Sequence, residues 1–378
     1  MDPTTLAMIF LLAITSIGID TVWHPTEVIL EGSMVGKFDK TSLDENMVNA
    51  VLKDEVERIS ATPSLMAKPR VQLGQQGGIG MAIATAANLQ NVAYALQAKA
   101  GFQADQIKIA LFTEDGTAKV LVTGSGGHRV GPFEQEVDQQ KGETVVALLH
   151  RAALVGMARI DPYLTALNLM QRHAADKDFA DVESLITYAK SRLPPAPVNR
   201  ERSLFENLQG IIALFRGNQS DADSWFRLAV SSHPDSAVAA LNLAFADLQS
   251  GQFAQAAARM AELTRRLPAD GALLASTGYV TWAAAQLGQH DIEGADRLLA
   301  KAIALTPDSA TAWDLRADVK RLKGDAAAAE RLHRRALEVS GSSENYAEVA
   351  ALYFQLAWRD NQPVTRSMFA NPANVSFH

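Results

Sequence analysis

Apolar residues follow a helical period over most of this chain, and one stretch near residue 110 instead alternates apolar with other residues. Ahead of that stretch, Val28 to Leu30 predict a strand. Apolar positions from Met47 to Ile59 then have helical spacing, and Ser42 with Glu45 forms a capping-box pair at the start of the helix. This part of the chain is therefore predicted to be a strand followed by a helix.

The alternating stretch predicts a β-hairpin. Apolar residues alternate with other residues at Ile107, Ile109 and Leu111, and they alternate again over residues 118–122. Between these two segments, Asp115-Gly116 is a hairpin-turn dipeptide. A third strand is predicted after the glycine-rich turn at 124–127, and a helix is predicted from residue 145. With an Ala-rich helix predicted over 82–100, these elements make residues 25–160 a small α/β domain.

From residue 161 onward the pattern is Ala- and Leu-rich and helical. Pro194, Pro234, Pro268 and Pro307 lie 40, 34 and 39 residues apart, close to the period of a helical-hairpin repeat. Three kinds of residue recur at fixed distances from the prolines. Small residues recur where paired helices would cross, at Gly210, Ala222, Ala229, Ala244, Ala256, Ala283, Ala295, Ala302, Ala317, Ala329 and Ala336. A large apolar residue recurs in the second helix, at Phe226, Met260 and Leu299, and glycines recur at the turns, at Gly217, Gly251 and Gly324.

These residues resemble the tetratricopeptide-repeat (TPR) family. The resemblance covers Asp161 to Gly341 as about five hairpins, with Asn345 to Trp358 as a capping helix, so residues 161–360 are predicted to form an all-α solenoid followed by a tail at 361–378. The predicted fold class is α+β overall: an N-terminal transmembrane helix, a small α/β domain and the TPR solenoid. The resemblance implies a protein or peptide partner bound in the concave groove.

In this family the first helix of each repeat lines the groove. The resemblance therefore implies that the residues at the same positions of this chain are candidate partner-binding residues. They are Asn207, Phe215, Leu241, Phe245, Gln249, Asp314, Asp318 and Arg321. Phe215, Phe245 and Gln249 are the favoured ones, whereas for Leu and Ala positions packing between repeats is the favoured interpretation. Asn168 and Asn242 occupy the position that forms an asparagine ladder on peptide backbones in some family members.

Residues 4–19 carry no charge, and Trp23 follows where an aromatic belt residue would stand. This favours a transmembrane signal-anchor over residues 1–24, in a single-pass protein of the inner membrane whose main part faces the periplasm. A cleaved signal peptide is the alternative, although the basic segment that precedes such peptides is missing. A buried N-terminal helix is the third interpretation.

The composition of the chain excludes several kinds of site and disfavours one class of partner. The formal charge of −7 and the absence of a basic cluster disfavour nucleic acid as a partner, and the absence of cysteine excludes disulfides, thiolate metal sites and cysteine nucleophiles. No pair of histidines has the spacing of metal ligands on one helical face, and no Gly-x-Ser-x-Gly elbow occurs. No cofactor, no metal and no enzymatic activity are therefore predicted.

One glycine-rich stretch invites a phosphate-binding interpretation. Gly74, Gly77, Gly78 and Gly80 open a predicted helix, but Ile83 stands where a dinucleotide fingerprint needs a third Gly or Ala. No P-loop lysine follows either. A flexible entry to the helix is the favoured interpretation.

The sequence thus predicts a membrane-anchored TPR scaffold or adaptor that binds a partner protein. One alternative is an accessory subunit of an envelope polysaccharide or secretion assembly. Another is a ligand-binding or enzymatic α/β domain for which the repeats serve as a specificity arm.

Overall fold

Four strands and twelve helices occur in the part of the chain that the computed structural model describes, residues 28–35, 44–67, 105–125, 132–174, 176–196, 198–267 and 271–339. The described residues fall into two units. The first contains all four strands and continues through Asn168, apart from residues 63–67. The second contains residues 63–67 and the chain from Leu169 onward.

The first unit is built on a sheet of four strands in the order β1-β2-β3-β4. They are β1 (Val28–Val35), β2 (Asp105–Glu114), β3 (Thr117–Ser125) and β4 (Phe133–Asp138). β1 pairs with β2 in parallel, and the other neighbouring strands are antiparallel. Asp115 and Gly116 connect β2 to β3 with φ angles of 49° and 75°, as a two-residue hairpin turn requires. The predicted hairpin and third strand are confirmed.

Two helices, α1 (Glu45–Ser60) and α2 (Val145–Ile160), cover one face of this sheet. Ile107 of β2 packs against Gly156 of α2, where an added Cβ would lie 2.9 Å from the isoleucine side chain. Gly32 of β1 lies under Val48 of α1 in the same way. Because these close approaches bring helix and strand together, the residues between them form the core: Val48, Leu52, Val56, Ile59, Ile107, Ile109, Leu111, Val120, Val122, Leu148, Leu149 and Met157.

The start of α1 differs from the predicted capping box. Asp44 is the N-cap, and its carboxylate accepts a hydrogen bond of 2.8 Å from the backbone N–H of Met47. Ser42 lies outside the described residues. Met47 is 39% exposed because it lies in the first turn, on the solvent side of the buried stripe.

The remaining ten helices follow in close succession. They are α3 (Pro162–Arg172), α4 (Ala180–Ser191), α5 (Arg200–Phe215), α6 (Gln219–Ser232), α7 (Ala237–Gln249), α8 (Phe253–Arg266), α9 (Ala272–Gly288), α10 (Ile292–Leu305), α11 (Ala310–Leu322) and α12 (Ala326–Val339). Several of them have locally encoded starts, where a short polar side chain accepts a hydrogen bond from the backbone N–H three residues later. Asn199, Asn218, Ser236, Asp291 and Ser309 cap α5, α6, α7, α10 and α11 in this way.

From α5 to α12 the helices form four stacked hairpins. The two helices of each hairpin pack together, each second helix packs on the first helix of the next hairpin, and successive first helices also touch. The predicted small residues lie at these crossings: the ten alanines are at most 5% exposed, and a Cβ on Gly210 would lie 2.4 Å from the Phe226 ring. The predicted helical repeat is confirmed over Arg200 to Val339.

The predicted first hairpin is different. α3 and α4 are both helical, but α3 is divided between the two units after Asn168. Only Asp161 separates α3 from α2, and its carboxylate accepts a hydrogen bond of 3.2 Å from the Leu164 N–H. Asn168 donates a hydrogen bond of 2.9 Å to the Thr62 hydroxyl. The beginning of α3 is therefore tied to the first unit.

The predicted turn glycines close three of the hairpins. Gly217, Gly251 and Gly324 have φ angles of 76°, 71° and 80°, which a residue without a Cβ adopts without strain. In the hairpin of α9 and α10 the corresponding turn contains His290, with φ of 62°. A turn of the same shape is therefore built there with a non-glycine residue.

No helix in the described ranges is long and apolar enough to cross a membrane. The predicted signal-anchor at 1–24 lies outside those ranges. So do the Ala-rich helix at 82–100, the capping helix at 345–358 and the tail at 361–378.

Candidate functional site

Three of the predicted partner-binding residues are interior residues. Asn207 and Leu241 are 0% exposed and Phe245 is 1% exposed. α7, which carries two of them, lies against α5, α6, α8 and α9 and is buried at every position from 241 to 247. The prediction that these three residues line an open groove is wrong, because the packing of neighbouring hairpins leaves them no surface.

The buried asparagines join successive repeats. Nδ2 of Asn242 on α7 donates a hydrogen bond of 2.7 Å to Oδ1 of Asn207 on α5, and both side chains are wholly buried. A buried amide is costly without a partner, so this bond fixes the two first helices relative to each other. Asn168 does not extend this pair into a ladder, since it bonds Thr62 within the first unit.

Phe215 and Gln249 lie at the ends of the first helices and are half-buried. The Phe215 ring packs on Phe179 with 5.3 Å between ring centroids. Oε1 of Gln249 accepts a long hydrogen bond of 3.4 Å from Gln219. Next to Phe215, Arg216 forms two hydrogen bonds of 2.6 and 2.9 Å with the Glu183 carboxylate. These residues make an aromatic and polar surface where α5 and α7 end.

The three charged residues of the predicted set lie on α11. Asp314 lies 2.5 Å from Nδ1 of His333, which reaches across from α12. Asp318 and Arg321 pair with each other along the helix, and 62% of the Arg321 side chain is exposed. This part of α11 therefore presents a charged, solvent-facing surface.

An ionic cluster that the sequence interpretation missed joins α10 to α11. Asp296 accepts hydrogen bonds of 2.9 Å from Nε of Arg316, 2.5 Å from Nζ of Lys320 and 2.8 Å from Nζ of Lys323. Burial opposes the charge of Asp296, but the three cations outweigh it and hold the pKa of that carboxyl well below its usual range. Arg316 and Lys320 on α11 and Lys323 directly after it recur at helical spacing, which is a signal that the sequence does contain.

A second carboxylate joins three helices. Asp247 on α7 is 0% exposed, accepts a hydrogen bond of 2.7 Å from Nε of Arg259 on α8 and lies 3.5 Å from Nη2 of Arg227 on α6. Burial raises the pKa of Asp247, although the hydrogen bond from Arg259 acts in the opposite direction. The contact is structural, since it holds consecutive hairpins together.

The first unit contains one buried carboxylate with a histidine. Glu55 of α1 is 0% exposed, lies 3.0 Å from Nδ1 of His150 on α2 and is 3.2 Å from Nη2 of Arg58. The pair connects the two helices that cover the sheet. Within the described ranges, no group of three His, Cys, Asp or Glu residues is placed to hold a metal ion.

The repeat unit thus uses its interior polar groups for packing and leaves two kinds of accessible surface from the predicted set. One is the half-buried surface of Phe215 and Gln249, and the other is the charged surface of Asp314, Asp318 and Arg321. Both can take part in non-covalent recognition of another polypeptide.

A scan against protein-family models matches none, and a search of curated proteins finds no match. Among solved structures, the chain is similar to PilF of Pseudomonas aeruginosa, with 15% identity, 58% of this chain and 92% of that chain covered, and a TM-score of 0.41. It is similar to PilW, a type IV pilus biogenesis factor, with 16% identity, 58% and 96% covered, and a TM-score of 0.40. It is also similar to MamA from Desulfovibrio magneticus RS-1, with 18% identity, 49% and 98% covered, and a TM-score of 0.36. Similarity at this level assigns no function, and the helical-repeat interpretation rests on the hairpins themselves.

Proposed function

We propose that this chain is a scaffold that binds a partner protein or peptide through its repeat unit and carries out no reaction of its own. The observation that supports this most is the row of four stacked hairpins with buried small residues at their crossings. Such an array is held in a fixed arrangement by contacts between neighbours and offers a long surface for recognition.

The proposed contact surface runs over the ends of α5 and α7 and along the exposed side of α11. Phe215 supplies a partly exposed aromatic ring and Gln249 an amide, the residue types that serve as an anchor and as an adaptable polar contact. Arg321 supplies an exposed cation next to Asp318. A partner that reads this surface carries an apolar side chain for the ring and charges of both signs for α11.

A charge exchange on α11 tests the proposal. The double variant Asp318→Arg/Arg321→Asp keeps an opposite pair at the same spacing, so we expect the helix to remain folded while the charge pattern is reversed. The matched control exchanges Glu330 and Arg334, an exposed pair on α12. After affinity purification from native membranes, the α11 variant should recover its partner at least about fivefold less well than the control. Equal recovery by both variants would remove α11 from the proposed surface.

We further propose that the uncharged segment 4–19 anchors the scaffold in the inner membrane, with the repeats in the periplasm. The absence of charge over this segment supports the anchor. An accessory role in an envelope polysaccharide or secretion assembly is the setting in which such an anchored scaffold would act. Co-purification with a multi-subunit membrane complex would favour that setting.

A further inference from the structure

The face of the sheet opposite α1 and α2 carries both apolar and charged residues. The strand register places three cross-strand rows on it, namely Glu31-Lys108-Thr123-Glu134, Ser33-Ala110-Leu121-Glu136 and Val35-Phe112-Lys119-Asp138. We call this the open face. The helices that pack on the sheet in the described ranges, α1 and α2, lie on the other side.

An apolar strip crosses the open face. Val35 is 61% exposed, and Phe112 and Leu121 are half-buried among their cross-strand neighbours. Phe112 lies between Val35 and Lys119 in its row, and Leu121 lies between Ala110 and Glu136 in the next. Large apolar side chains that remain in contact with solvent on one sheet face are typical of a binding surface.

Carboxylates border this strip along the β4 edge. Glu134, Glu136 and Asp138 are all exposed and follow one another on the same face of β4. Nζ of Lys119 lies 2.7 Å from carboxylates of both Glu114 and Glu136, and 3.4 Å from Asp138. One ammonium group is thus shared by three carboxylates, so the edge keeps an excess of negative charge.

The charge of this face decides among classes of partner. Its five carboxylates, Glu31, Glu114, Glu134, Glu136 and Asp138, stand against two lysines, Lys108 and Lys119. A negative surface repels phosphates, which disfavours nucleic acid and the anionic surface of a membrane. It attracts a polypeptide segment that carries lysine or arginine, and the neighbouring apolar strip requires that segment to have an apolar side as well.

We propose that the open face is a second docking surface, which binds a basic amphipathic helix of a partner protein. The apolar side of that helix packs on Val35, Phe112 and Leu121, and its basic residues pair with the carboxylates of β4. Helix recognition of this kind needs apolar anchors at helical spacing and charges beside them. The surface lies in the first unit and does not depend on the repeat surface proposed above.

Access to the open face is tested first. The chain contains no cysteine, so Leu121→Cys and the control Glu57→Cys each introduce a single thiol, the control on the exposed side of α1. In the folded full-length protein we expect a maleimide to label both thiols, with rates within about tenfold of each other. Labelling of Leu121→Cys only after denaturation would mean that the chain itself covers this face, and the proposal would be wrong.

Binding is tested with an 18-residue probe peptide that has leucine at helical spacing and lysine elsewhere. We expect the full-length protein to bind it, and the bound peptide to protect Leu121→Cys from the maleimide. The variant Glu134→Gln/Glu136→Gln should weaken binding by about tenfold or more, because two exposed carboxylates of the edge are neutralised. The control Glu45→Gln/Glu57→Gln removes the same charge from α1 and should change the affinity by less than about twofold.

Besides a failed access test, two results of the binding test would overturn the proposal. Equal losses in the two variants would show that the peptide responds to net charge rather than to this face. Equal binding of a peptide with the same composition in scrambled order would show that the apolar strip plays no part. Neither result bears on the α11 charge exchange, which tests the repeat surface separately.

Discussion

At the scale of single residues, two phenylalanines on successive first helices have different roles because they lie at different distances from the helix end. Phe215 is the last residue of α5 and is half-buried, whereas Phe245 lies four residues before the end of α7 and is 1% exposed. Phe245 is therefore a core residue. Phe215, whose ring packs partly on Phe179, is the aromatic residue of the proposed contact surface.

Truncating these two rings should separate the two roles. Phe245→Ala should lower the free energy of unfolding by about 3 to 5 kcal/mol, because it leaves a cavity in a wholly buried site. Phe215→Ala should cost less, about 1 to 2 kcal/mol, since part of its side chain is already exposed to solvent. Urea unfolding of both variants measures the difference. Equal losses would mean that the burial assigned to Phe245 is wrong.

At the scale of the elements, small residues at the crossings and ionic clusters between hairpins hold the repeats together. The alanines let paired helices approach closely, as Ala256 does at 0% exposure on α8. Asp296 and Asp247 add charged contacts between neighbouring hairpins, the first with Arg316 on α11 and the second with Arg227 on α6. The close helix crossings can be predicted from the small size of the residues. The ion pairs depend on which side chains meet once the hairpins are stacked.

The crossing at Ala256 is the sharpest test of the repeat phase. Ala256→Glu should lower the free energy of unfolding by about 3 kcal/mol or more, because an unpaired charge is forced into a site without solvent. Gln255→Glu adds the same charge one residue earlier, on the exposed side of α8, and should be near neutral. Thermal unfolding that does not distinguish these variants would contradict the assigned phase.

The Asp296 cluster predicts a pH dependence of stability. The folded-state pKa of Asp296 is lowered, so its contribution is complete above the pKa of an unfolded aspartate, near 4, and is lost as the pH falls through the lower folded pKa. Asp296→Asn should therefore cost about 2 kcal/mol at pH 7, where Arg316, Lys320 and Lys323 lose the carboxylate that they share. The difference in the free energy of unfolding between Asp296→Asn and the unaltered protein should become smaller below pH 4. A gap that stays constant down to pH 3 would argue against the cluster.

At the scale of the whole molecule, the described residues comprise a small α/β unit and a helical-repeat unit. The proposed anchor adds a third part, at 1–24. An anchored scaffold would then offer two separate surfaces, on α11 with the ends of α5 and α7, and on the open face of the sheet. Two independent surfaces on one chain allow two partners to be held at once.

The anchor is checked by fractionation. The full-length protein should partition with membranes and resist carbonate extraction, because residues 4–19 carry no charge. A truncated chain that begins at Pro25 should be soluble, which serves as the control. Recovery of both proteins in the soluble fraction would contradict the anchor.

Much of the fold could be predicted from short segments. The hairpin at Asp115-Gly116 is encoded by two turn residues between alternating strands, and it forms as predicted. The turns at Gly217, Gly251 and Gly324 are encoded in the same local way. The proposed contact surfaces were harder to predict, because the exposure of a side chain depends on contacts between residues far apart in the chain. Asn207 and Asn242, which bond each other across 35 residues, show this limit.

The sequence by itself determined which segments are strands and helices, where many of them begin, and the phase of the repeat from α5 to α12. These features depend on hydrogen bonds and side-chain sizes within a few tens of residues. Only the tertiary structure decided that Phe245 and Asn207 are interior, that Asp296 collects three cations, and that one sheet face carries an apolar strip beside carboxylates. Burial and charge pairing are properties of the assembled packing, and residue types along one helix or strand do not specify which neighbours will cover them.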